Sequence, residues 1–122
     1  MLNGKQYASS DDYHIYTTTE QEVGMWIDGS LIYEKVVDLG TLPNATTKNV
    51  AHNIANLSNI ISVDIVATDG SSQWLTVPYT TTNSTDAKYQ IGYWMTSTNI
   101  SIKSDWDRSG WTGFAILRYT KA

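Results

Sequence analysis

The sequence has no cysteine. A disulfide framework and a thiolate metal site are therefore excluded, and the fold must be held by packing and hydrogen bonds. Charge is scarce as well: 16% of the 122 residues are Asp, Glu, Lys or Arg, and the formal net charge is -4. The 8 Lys and Arg are scattered, so the clustered cations that a nucleic-acid backbone requires are missing and no nucleic-acid partner is expected. Apolar runs are only a few residues long, so no segment is expected to insert in a membrane. Met1-Leu-Asn-Gly-Lys5 does not lead from a basic into an apolar stretch, so it does not read as a secretory signal. A chain of this kind outside a cell would be a domain of a longer protein, or would be released by lysis. Only two histidines occur, His14 and His52, and neither stands in a metal-ligand spacing; both read as surface or hydrogen-bonded residues. There is no Gly-x-Ser-x-Gly elbow and no glycine-rich phosphate loop, so neither an enzyme nor a cofactor site is expected.

What the sequence does contain is β-forming. Thr, Tyr, Trp, Ile and Val recur in short runs bounded by turn residues. The centre of this pattern is Glu22–Asp38, where two apolar runs flank Asp28-Gly29. Asp-Gly between such runs predicts a hairpin with a two-residue type I′ turn, which needs positive φ at both central residues. Ile27 would then face Ser30, Trp26 would face Leu31 and Gly24 would face Tyr33. Both faces of that hairpin carry apolar residues, which places it inside a larger assembly. Further strands are expected at 13–16, 46–51, 60–67, 73–79, 88–95, 98–104 and 111–121. Residues 80–85 and 105–110 read as loops, and Asn53–Leu57 fits one short helical turn. Residues 1–12 read as a lead-in or linker, and 13–122 as a single domain. The expected fold is all-β: an antiparallel β-sandwich, jelly-roll-like, of about eight short strands with little helix.

The aromatic bias bears on function. There are 5 Trp and 8 Tyr against 1 Phe, favouring rings with a polar handle that suit half-wet surfaces. The loop Asp105-Trp-Asp-Arg-Ser-Gly-Trp111 combines two indoles with charged groups. An indole face stacks on the C–H face of a sugar, while Asp105, Asp107 and Arg108 can hold hydroxyls at fixed angles. Trp106 and Trp111 are thus candidate ligand residues, and Trp74, Tyr79, Tyr93 and Trp94 a candidate second patch. The ordinary alternatives are that these rings pack in the core or against a neighbouring chain, with Trp26 and one of Trp94 and Trp111 pointing inward. Asp105 and Asp107 alone do not make a calcium site, because the ion takes six to eight oxygens and an EF-hand pattern is absent.

Several stretches together resemble a family. They are Glu20-Gln21, Val23-Gly-Met-Trp-Ile-Asp-Gly29, Leu31-Ile-Tyr-Glu-Lys35, Leu42-Pro-Asn-Ala-Thr-Thr-Lys48, His52-Asn-Ile54, Asn59-Ile-Ile61, Asn99-Ile-Ser-Ile102, Asp107-Arg-Ser109 and Ala115-Ile-Leu-Arg-Tyr-Thr-Lys121. They resemble the distal C-terminal domains of tail-fibre and minor structural proteins from phages and prophages of Firmicutes and related gut bacteria. Met25 and Leu31 stand where many relatives carry Thr and Pro. The resemblance implies a homotrimeric β-sandwich head on a virion appendage, joined to upstream fibre or virion proteins and attaching to a host-surface glycan or protein. It supplies no catalytic motif and no fixed ligand residues. The alternatives are a structural fibre-tip, trimerisation or capsid-decoration module, or an accessory carbohydrate-binding module of a hydrolase.

Overall fold

Side-chain alternation decides the architecture. At the end of the chain Ala115, Leu117 and Tyr119 are fully buried while Phe114 before them is exposed and Ile116 and Arg118 between them are half-buried, so the strand turns one face inward and one outward. The same alternation buries Ile65 and Ala67 and leaves Val66 exposed. The computed structural model describes residues 13–80 and 88–122. Among them the strands are β1 Gln21–Met25, β2 Leu31–Thr41, β3 Thr47–Ala51, β4 Leu57–Thr68, β5 Trp74–Val77, β6 Ile91–Met95, β7 Asn99–Ser104 and β8 Thr112–Lys121. They form two antiparallel sheets, a five-stranded one in the order β1-β2-β8-β4-β5 and a three-stranded one in the order β3-β7-β6.

The two sheets close on one core, a β-sandwich. Val37, Leu39, Ile65, Ala67, Ala115 and Leu117 come from the large sheet, and Ile91, Ile100 and Ile102 from the small one. Burying each large aliphatic chain is worth about 1.5–3 kcal/mol, and this is the main force holding the sheets together. Gly113 shows how close the packing is: a Cβ there would stand 3.0 Å from the Val66 carbonyl oxygen. The chain crosses between sheets on leaving β2, β3, β5 and β7. All expected strands from 46 onward are present, although the sixth starts at Ile91 rather than Lys88. The expected loop at 80–85 lies outside the described residues from position 81 on, as does the lead-in 1–12.

Three expectations are corrected. First, the hairpin turn is one residue longer than a type I′ turn. Trp26 N–H donates to Ser30 O at 2.7 Å, Gly29 N–H to Trp26 O at 2.9 Å, and only Gly29 has positive φ. This is the three-residue loop with a bulge glycine. Asp28 avoids the left-handed region, and its Oδ1 instead accepts the Ser30 N–H at 2.9 Å. The pairs are consequently Met25 with Leu31, Gly24 with Ile32 and Glu22 with Tyr33. β1 is an edge strand, and the tip lies open, with Ile27 90% and Met25 68% exposed. Trp26 is at this tip and not in the core. Second, Asn53–Leu57 is a turn and not helix, because Asn53 and Asn56 take left-handed φ of 57° and 58°. Third, residues 13–16 are not a strand: they lie across Glu34, with His14 Nε2 2.7 Å from its carboxylate.

His52 is a structural residue. It is 1% exposed; its Nδ1 accepts the Ile54 N–H at 3.1 Å, and its Nε2 therefore carries the proton given to Thr96 O at 3.0 Å. It ties the turn after β3 to the β6–β7 turn.

Candidate functional site

The loop after β7 does not float. Its backbone continues the β3–β7 ladder: Ala45 N–H donates to Trp106 O at 3.0 Å, Arg108 N–H to Pro43 O at 3.0 Å, and Asn44 bridges to Asp107. The Ser104 hydroxyl lies 2.9 Å from the carbonyls of both Pro43 and Trp106. Asp107 closes the turn, its Oδ1 accepting the Ser109 hydroxyl at 2.6 Å and N–H at 2.9 Å. Those two bonds hold the Asp107 carboxyl below the usual aspartate range. A loop built this way presents its side chains from a rigid backbone.

Arg108 turns inward from that loop. It is 8% exposed, and its Nη2 donates to Tyr89 O at 2.6 Å. Its guanidinium carbon lies 5.2 Å from the Trp111 ring, 5.9 Å from Tyr79 and 6.0 Å from Tyr89. Cation–π attraction to these rings replaces part of the lost hydration. Burial nevertheless lowers the pKa of the guanidinium, and its Nε has no hydrogen-bond partner among the described residues.

Outside this cage stands Trp106. The Tyr89 ring meets it edge-on at 4.9 Å, Lys88 Nζ sits 4.4 Å from its centroid, and 41% of the residue is exposed. Next to it an open cleft of about 290 Å³ is lined by Tyr79, Tyr93, Trp94, Lys103 and Asp105, with Pro78 and Gln90 among its other walls. Lys103 and Asp105 face each other there at 3.9 Å. Tyr79, bonded by its backbone to Ile91 on the edge of β6, belongs to both the cage and the cleft. The arrangement offers exposed aromatic faces beside fixed polar groups, which is what stacking recognition of a flat, hydroxylated ligand requires. Among the described residues no group of three His, Asp or Glu is placed to hold a metal ion.

Of the residues singled out in the sequence, Trp111 and Tyr79 come together around the Arg108 guanidinium, Asp105 joins Tyr79 in the cleft, and Trp106 stands outside the cage under Lys88. Trp111 packs against the core and Trp94 faces outward. Asp107 holds Ser109 through its Oδ1 and is exposed. Trp74 is not part of this site: it pairs with Thr68 on β4 at the far edge of the large sheet, on the outer face that also bears exposed Val66 and Phe114. Sequence reasoning missed Lys88, Tyr89 and Lys103. Lys88 and Tyr89 form a short 3₁₀ turn ahead of β6, so strand alternation gave no signal for them. Compared with protein-family models, curated proteins and solved structures, the chain matches none.

Proposed function

We propose that this chain is a non-enzymatic binding domain that recognises a host-surface glycan at the loop end of its sandwich, in the manner of a phage tail-fibre tip displayed on the virion. The observation that carries the reading is the exposed Trp106, propped by Tyr89 and Lys88 on a pinned loop beside a cleft walled by Tyr79 and Trp94. A sugar stacked on such a ring binds weakly, so display of several copies on one appendage would raise the avidity without new contacts. Self-association as a homotrimer fits two further features. The hairpin tip exposes Met25, Ile27 and Leu31, and the outer face of the large sheet exposes Trp74, Val66 and Phe114. Apolar surface of this kind marks a contact with another chain. These patches equally suit joining to upstream fibre proteins.

The test is to label the domain with a fluorophore and apply it to a panel of Gram-positive gut bacteria, alongside Trp106→Ala. The reading expects a subset of strains to be stained, and staining to fall about tenfold or more with the variant, the effect of losing an anchor aromatic. Staining that Trp106→Ala leaves untouched, with the variant folded, would remove the loop end as the receptor site.

A further inference from the structure

We infer that the ligand taken at the loop end carries negative charge, a carboxylate or a phosphate on a saccharide; this deepens the glycan reading above and rests on it. Elsewhere among the described residues each Lys or Arg is already engaged. Lys35 donates to His52 O, and Lys48 to Leu39 O and Thr41 O. Arg118 is paired with Glu34 and Asp64, and Lys121 with Glu20. At the loop end the engagement is weaker. Arg108 donates only to Tyr89 O, Lys88 makes no hydrogen bond or ion pair with a described residue, and Lys103 has only the loose 3.9 Å approach to Asp105. Asp107, the other carboxylate of the loop, spends an oxygen on Ser109.

Three cations thus lie among the aromatic residues of this end, Lys88 over Trp106, Lys103 in the cleft and Arg108 in the ring cage, in a chain whose net charge is -4. A guanidinium buried without a carboxylate is costly unless something compensates it. Here the rings and the Tyr89 carbonyl compensate it in part, and Nε stays unbonded. Arg108 is too enclosed to grip a ligand. It acts as a positioning residue, holding Tyr79 and Tyr89 and adding positive potential behind the cleft. Lys88 at the Trp106 face and Lys103 in the cleft are the groups with room to reach an anion. A neutral sugar would need none of this charge.

The experiment is a glycan array spanning neutral oligosaccharides, uronic-acid oligosaccharides and sugar- or polyol-phosphate polymers, probed with the full chain. Calorimetry then follows with the strongest binder. The inference expects acidic glycans to dominate, the two acidic classes revealing whether carboxylate or phosphate is the favoured source. The double variant Lys88→Ala/Lys103→Ala should bind about tenfold or more weakly, each lysine supplying a charge-assisted hydrogen bond. Raising salt from about 50 mM to about 500 mM should weaken binding several-fold, since these lysines are at the surface. Preference for neutral glycans, indifferent to the double variant, would overturn the charge inference and leave the glycan reading standing. No binding to any glycan would overturn both.

Discussion

The two ends of β8 treat charge in opposite ways. At its C-terminal end Glu20, Glu34, Arg118 and Lys121 are matched in ion pairs. Glu34, 1% exposed on β2, receives Arg118 Nε at 3.0 Å, Gln21 Nε2 at 3.2 Å and His14 Nε2 at 2.7 Å. Glu20 binds the Tyr119 hydroxyl at 2.6 Å and Lys121 at 2.9 Å. At the N-terminal end Arg108 is buried among rings with no carboxylate beside it among the described residues. A matched network is what a fold needs to fix its sheet order, and an unmatched one is what a binding surface keeps in reserve. The comparison places the fold's paired charges at one end, and the proposed recognition surface at the other is where such pairing is sparse.

The largest effect should come from breaking the matched end. Glu34→Ala removes the buried carboxylate that Arg118, Gln21 and His14 share, while Arg118 keeps Asp64 at 3.3 Å, so the loss of these charge-assisted bonds should cost about 3 kcal/mol. Urea unfolding measures it; a loss below about 1 kcal/mol would mean that solvent reaches this network freely. Arg108→Met should cost less, about 2 kcal/mol, because it strands no opposite charge and gives up only ring contacts and the bond to Tyr89 O. If Arg108→Met proves more destabilising than Glu34→Ala, the contrast between the ends is wrong.

Tyr119→Phe sharpens the comparison through pH. Burial, reinforced by the bond to Glu20 and its charge, pushes the Tyr119 phenol far above its ordinary value of 10.0. The folded state thus keeps a proton that the unfolded chain gives up, so stability is full below about pH 10 and declines as pH rises above it. Glu20 behaves in the opposite sense. Burial works against its charge, but the bonds from Tyr119 and Lys121 and the nearby lysine charges outweigh that and hold its carboxyl below 4.5. Its contribution is present above about pH 4.5 and is lost as pH falls through the folded value. Tyr119→Phe should remove part of the alkaline decline and cost about 1.5 kcal/mol at neutral pH. An unchanged alkaline limb in thermal melts recorded from neutral to alkaline pH would contradict the burial argument.

The smallest stability effects belong to the recognition end. Lys88→Ala should leave the melting temperature within the scatter of ordinary surface substitutions, about 0.5 kcal/mol either way, while weakening glycan binding. A large loss of stability would show that Lys88 is a tie of the fold.

Much of the large sheet was legible in the sequence because alternation is local. Ile65 and Ala67 against Val66, and Ala115 and Leu117 against Phe114, divide as a period of two demands. The turn was misjudged because Asp28-Gly29 fits two loop lengths, and the choice rests on whether Asp28 takes positive φ or caps Ser30. The helical turn at Asn53–Leu57 failed because Ile54 and Leu57 match a helix only if the asparagines stay right-handed. The site was legible only in part. The Trp106 loop announced itself by composition, but the cage of Arg108 draws Tyr79 and Tyr89 from another part of the chain. Glu34 and Arg118 meet across 84 positions, and nothing local marks either as the other's partner.

The most direct test of the division between the ends is to follow the indole N–H signals of the 5 tryptophans by NMR. The titrant is soluble glycan released from a strain that the domain stains. The account predicts that Trp106 and Trp94 shift with saturation, while Trp26 and Trp74 stay in place. Saturable shifts at Trp26 or Trp74 with Trp106 unmoved would contradict it.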